Sequence, residues 1–282
     1  MNSIKNNINK IYIFKFFLCF LIMIPVFVPY ILSFNLTMLD IFILQMVFGI
    51  TMGVMEIPSG YLCDLWGRKP TLMLGGFLWG IGYTIFYFAD SFLLFALFEA
   101  TVGIAAAMVS GADFSLLYDS LKQNTPRGEK TKFVGNMQSY GVFGEAVASI
   151  GCGFLMIYSY MHVMSAQLIA AWIPFFVTIF LIEPKYKKMD KKSHKKNFKK
   201  ILRHLFFSDK LLRLTFFNLV VYSLATFFVV WIFQKYWQQE KIPLKYFGII
   251  WATYNLTVGL VSRNVHRIEK KMGAFSVLVA MG

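Results

Sequence analysis

The chain has 282 residues, of which 57% are hydrophobic, 18% aromatic and 15% charged. That balance excludes an ordinary soluble domain and fits a bilayer. The formal net charge of +14 would point to nucleic acid in a soluble protein, but here Lys and Arg gather between apolar runs, the pattern that sets membrane topology, so no nucleic-acid partner is expected.

Residues 1–10 carry Lys5 and Lys10 ahead of a long apolar run. The run exceeds a signal-peptide core and has no small-x-small cleavage site, so it is expected to stay as the first membrane helix. Crossing a hydrocarbon core of roughly 30 Å takes about twenty helical residues. Eight runs of that length fall at 11–33, 38–62, 70–89, 92–119, 133–158, 161–183, 212–236 and 246–265, and a ninth starts near Ala274. The segments 1–10, 63–70, 120–132, 184–211 and 263–271 hold most of the Lys and Arg, whereas 34–37, 90–91 and 159–160 hold none. The N-terminus is therefore expected on the cytoplasmic side. Lys235, Lys241 and Lys245 lie against this pattern. The three cysteines, Cys19, Cys63 and Cys152, are an odd number in or beside apolar runs and give no disulfide framework. No cofactor or metal is expected.

A charged knot separates the second and third runs and holds Gly60, Asp64, Gly67, Arg68, Lys69 and Pro70. Gly67 offers the positive φ of a tight hairpin, and Pro70 suits the first position of the next helix. Asp64 is placed to accept from that helix's unpaired amides, while Arg68 and Lys69 face an anionic leaflet. An ordinary positively charged loop would explain the two bases but not the glycines framing Asp64.

This spacing resembles the loop signature of the major facilitator superfamily, G-xxx-D-[RK]-x-G-R-[RK], with Leu65 standing where that signature prefers a base. The resemblance implies an all-α membrane protein. It would have a complete N-terminal six-helix half at 1–184, a basic cytoplasmic linker at 185–211, and about two and a half helices of a C-terminal half at 212–282. It also implies a secondary carrier in the cell's inner or plasma membrane that moves a small organic solute by alternating access. A proton is the expected coupling partner, and multidrug and metabolite carriers both fit. The linker's bases, from Lys185 to Lys200, form a solvated face or a contact for anionic lipid. A weak echo of the knot, from Ser262 and Arg263 to Gly273, suggests that the second half repeats the first. On that reading the chain is a shortened twelve-helix carrier.

Acids inside apolar helices cost about 2.5 to 3.5 kcal/mol each on insertion scales, so each asks for a partner or a task. Glu56, Glu99, Asp113 and Glu145 are the candidates for proton coupling. In the fourth run Glu99, Gly103, Ala106, Ser110 and Asp113 form one small, polar stripe. Glu99 and Glu145 are expected at similar depth, where two acids can share a proton. Glu145 is the first choice, a structural carboxyl hydrogen-bonded to a neighbouring helix being the alternative. Glu99 matches the family's fourth-helix pattern R-xx-q-G only with the charge reversed. The fifth run departs from the family's antiporter signature: Gly141, Gly144, Gly151 and Gly153 supply small residues for close helix packing but no proline follows a glycine, which leaves export unsupported.

Asp119 is expected to pair with Arg68, and Lys15 to snorkel toward the inner surface. Gln45, Gln138, Gln167, Asn218 and Asn255 are candidates to line a central cavity, or to serve as interhelical hydrogen-bonding glue. Two other classes remain open. A membrane-embedded enzyme would need a converging catalytic set, but neither an HExxH nor a GxSxG occurs, and without a Walker-type phosphate loop ATP drive is not expected. A non-transporting remnant, or an assembly partner of another membrane protein, fits the chain length.

Overall fold

The computed structural model describes residues 2–122, 130–184, 221 and 230–272. Among these residues the structure is all-α, with no strand. Helix α1 (Asn2–Leu18) is followed by a 3-10 turn at Ile24–Val26 and a short α2 (Phe27–Leu32). Then come α3 (Met38–Trp66), α4 (Arg68–Tyr87), α5 (Phe92–Lys122), α6 (Lys130–Leu155) and α7 (Tyr160–Ile179). Helical residues 230–239 form α8, and α9 spans Leu244–Met272. The basic stretch from Lys185 and the run near Ala274 lie outside the described residues.

Local chemistry sets the helix starts. Thr37 and Asp40 form a reciprocal capping box at the head of α3: the Asp40 amide donates to Thr37 Oγ1 at 3.3 Å and the Thr37 amide to Asp40 Oδ2 at 2.7 Å. Two orphan donors are satisfied at once. At the other end of α3 the chain reverses in a single residue, Gly67, at φ +122°. A side chain there would be strained, which is why glycine occupies the hairpin. Helix α4 begins at Arg68, two residues earlier than the run at 70–89 suggests, so Pro70 sits in its first turn, where a missing amide is harmless.

The first predicted span is not one helix. It breaks between Leu18 and Phe27, where Pro25 sits in the 3-10 turn, and Pro29 follows in α2. Each proline removes a backbone donor and crowds the preceding turn. Pro58 and Pro174, by contrast, lie inside α3 and α7 without ending them.

Successive long helices alternate in direction, so the bundle has two ends, here the motif end (with Gly67) and the far end (with Thr37). Helix α5 packs along both α3 and α4, α4 also packs on α7, and α1 lies against α6 and α7. Helix α9 packs along α6. Near the far end Phe86 joins Phe27, Tyr30, Phe95 and Phe98 in an aromatic core. Toward the motif end Ile11, Phe14, Leu72, Leu116 and Leu117 fill the interior. Helices α3, α5 and α7 are long and apolar enough to cross a membrane. On α3 the stripe Leu39, Ile43, Met46, Ile50, Val54 and Ile57 faces outward at three- and four-residue steps. It is an apolar surface fit for hydrocarbon.

Helices α6 and α9 touch backbone to backbone. A Cβ at Gly153 would stand 2.7 Å from the Lys245 carbonyl, and one at Gly248 would collide with the Ser149 carbonyl. Nearer the motif end Ser139 Oγ donates to the Gly259 carbonyl at 3.1 Å. Small residues permit this approach. Gly248→Val is expected to push the helices apart and destabilise the purified protein by about 1–3 kcal/mol, read as a lower melting temperature in detergent.

Candidate functional site

The charged knot organises the motif end. Arg68 Nη1 lies 2.8 Å from Asp64 Oδ1, and Arg68 Nε lies 3.5 Å from Asp119 Oδ2 at the end of α5. The expected Arg68–Asp119 ion pair is therefore present, with one guanidinium bridging α3, α4 and α5. Asp64 does not cap α4. That task falls to Glu183, just beyond α7, whose two carboxylate oxygens accept from the amides of Arg68 at 2.8 Å and Lys69 at 2.6 Å. A carboxylate on two orphan amides at a helix N-terminus is favoured by both hydrogen bonding and the helix dipole. The sequence reading missed Glu183 because it lies more than a hundred residues from the turn.

The carbonyls at the end of α7 are satisfied in turn. Lys69 Nζ donates to Ile179 O at 2.8 Å and Lys10 Nζ to Phe180 O at 2.7 Å. Asn7 donates to Ile182 O and accepts from the Ile182 amide. The ends of α1, α4 and α7 are thereby tied together. Beside the knot, between α3 and α5, lies a cavity of about 190 Å³ whose lining includes Glu56, Gly60, Asp64, Arg68, Gly111 and Ser115.

The acids of the apolar helices go to different partners. Glu99 on α5 accepts from Gln45 Nε2 on α3 at 2.7 Å, and both residues are buried. Asp113 pairs with Lys15 of α1 at 2.9 Å, with the carboxylate side chain 1% exposed. Lys15 thus turns inward instead of snorkelling to the surface, because the buried Asp113 offers it a countercharge. Glu56 is exposed and accepts from Ser110 Oγ at 3.0 Å. Glu145 on α6 accepts from Trp251 Nε1 at 2.6 Å and Asn255 Nδ2 at 3.3 Å, both on α9. No hydrogen bond joins Glu99 to Glu145 among the described residues.

The polar candidates are likewise dispersed. Gln45 and Asn255 are engaged by the acids above, whereas Gln138 is half-buried on α6. Gln167 on α7 is 1% exposed and accepts from the Met23 amide in the helix break at 3.3 Å. Asn218 lies outside the described residues. Sequence reasoning also missed Gln234 of α8, buried against the same break. A glutamine in an apolar run could have flagged it, but only the fold shows what it faces.

Long apolar helices packed around buried acids and a charged hairpin fit an integral membrane protein. A profile of the Major Facilitator Superfamily matches residues 11–282, and the chain belongs to that family. It is a membrane transporter of the major facilitator type, acting on a small solute. No curated protein matches it individually.

Two predictions follow the site's electrostatics. Lys15→Met or Asp113→Asn alone strands a buried polar partner and is expected to cost about 3–5 kcal/mol. The double variant should recover most of that loss in a thermal-melt cycle. Glu183→Ala uncaps α4 and should cost about 1 kcal/mol, with Glu183→Gln losing less, by the same assay.

Proposed function

We propose that this transporter is a secondary carrier that moves a small organic solute by alternating access, with Glu145 as the carboxyl that couples a proton to the movement. The observation that carries this reading is the placement of Glu145. It is a half-buried carboxylate on α6 whose hydrogen-bond donors, Trp251 and Asn255, belong to α9.

An ionised carboxylate accepts strongly from both donors. Protonation weakens that acceptance, so the hold between α6 and α9 loosens when Glu145 takes up a proton and tightens when it releases one. Proton binding is thereby linked to relative motion of the helices. Asp113 is less suited to the task because Lys15 already neutralises it. Glu99 is held by Gln45 within one set of packed helices, α3 and α5, and Glu56 is exposed. These three are secondary candidates for the proton.

Residues 1–184 act as one moving half and 212–282 as part of the other, joined by the basic segment 185–211, which meets anionic lipid. Gln138 of α6 and Asn255 of α9, with Asn218, supply polar groups to the solute path between them, whereas Gln45 and Gln167 are engaged within the first half. The motif end is the cytoplasmic end. There the Asp64–Arg68–Asp119 bridge and Glu183 brace the helices while that end is closed.

The test is uptake into sealed vesicles across a panel of solutes, with and without a pH gradient. Glu145→Gln is expected to retain solute exchange at equal concentrations while losing gradient-driven accumulation at least about tenfold, the scale of general acid–base participation being larger still. Accumulation equal to wild type would remove Glu145 from the coupling role.

A further inference from the structure

The break between α1 and α2 frees backbone groups inside an apolar bundle. Such groups need partners, since water is scarce there and each unpaired one costs free energy. Two glutamines supply them. Gln167, from α7, accepts from the Met23 amide. Gln234, from α8, accepts from the Val28 amide at 3.0 Å and donates to the Ile24 carbonyl at 3.0 Å. Gln234 is 0% exposed.

The second contact differs from the first in what it joins. Gln167 and the break both belong to the six spans that precede the basic segment, whereas Gln234 follows it. The surroundings of Gln234 reinforce the contact. Trp231, one turn earlier on α8, lies 5.0 Å from the Phe27 ring, which stacks at 5.9 Å on Phe86 of α4. Trp237 rests edge-on against the buried Phe247 of α9 at 5.0 Å. All of these contacts sit toward the far end.

A primary amide suits this position because it offers an acceptor and a donor on one planar group, matched to the free Val28 N–H and to the second lone pair of the Ile24 carbonyl, which also accepts from the Phe27 amide. Leucine would fill the space and satisfy neither. If α8 moves away, Val28 N loses its partner until water reaches it and Ile24 O keeps only the Phe27 amide, so separation is disfavoured while the far end is dry.

We propose that Gln234 is the latch of the far end: a positioning residue whose two hydrogen bonds to the broken first span set the equilibrium between far-end-closed and far-end-open forms. The proposal rests on the alternating-access reading above. It goes beyond that reading by assigning the closure to one side chain and two backbone groups.

Spin-label distance measurements on the full chain test it. With Cys19, Cys63 and Cys152 replaced by Ala, one label pair at Ser33→Cys and Gln239→Cys reports the far end. A second pair at Lys132→Cys and Arg267→Cys reports the motif end. All four label positions are exposed. Gln234→Leu is expected to raise the far-end open-to-closed ratio about fivefold, the scale of one lost hydrogen bond, while the motif-end distance shortens in step. A purely structural role would leave that reciprocity absent. Unchanged far-end distances in Gln234→Leu, or broadening at both ends together, would overturn the latch. A wild type that keeps one distance at each end at every pH and in every solute tested would remove alternating access itself, and the latch with it.

Discussion

A backbone that leaves its helix inside an apolar bundle must find other partners for its amides and carbonyls. That constraint shapes the far end of this molecule, and helix-end groups at the exposed motif end are completed in the same manner. At the far end the broken first span is completed by glutamine side chains from α7 and α8. At the motif end the amides of α4 are completed by Glu183, and the carbonyls closing α7 by Lys69, Lys10 and Asn7. In each place a side chain distant in sequence supplies what the helix lacks, and each helix end is thereby fixed to a neighbour.

The same economy governs charge. The acids within the apolar helices are distributed one by one: Glu99 to Gln45, Asp113 to Lys15, and Glu145 to Trp251 and Asn255. Two of these arrangements stay within the first set of packed helices and stiffen it. The Glu145 arrangement reaches α9, along which α6 runs at glycine-permitted distance. A chargeable group at that seam can alter how two helices hold each other, whereas one inside the set cannot do so without disturbing the core. The Arg68 guanidinium has a comparable bridging place, set between Asp64 and Asp119 at the ends of three helices.

Much of the architecture was legible along the chain. The runs at 38–62, 92–119 and 161–183 reappear as α3, α5 and α7, because apolar length is a local property that the bilayer constraint converts directly into helix. Gly67 declared its turn through a motif of fixed spacing, and Asp119 its ion pair through the alternation of spans that brings the end of the fourth run to the side of Arg68. Two errors share a cause. Asp64 was assigned the helix cap that Glu183 provides, and Lys15 was sent to the surface although it turns to Asp113. For the cap the nearest plausible group in sequence stood in for one brought close by packing, and for Lys15 the membrane surface stood in for a buried countercharge that only packing supplies. The break in the first span was visible only as Pro25 and Pro29, and since Pro58 and Pro174 leave their helices whole, proline by itself did not identify it.

The sequence alone determined that this is an α-helical membrane protein of the major facilitator type, where its apolar spans fall, and which hairpin carries the charged motif. Those properties depend on composition and short-range spacing, which folding does not alter. The tertiary structure decided which acid meets which donor, that Glu183 and Gln234 serve helices far from their own, and how closely α6 and α9 approach. Hydrogen bonds act over about 3 Å, so partners separated by a hundred or more residues are fixed only when the helices pack.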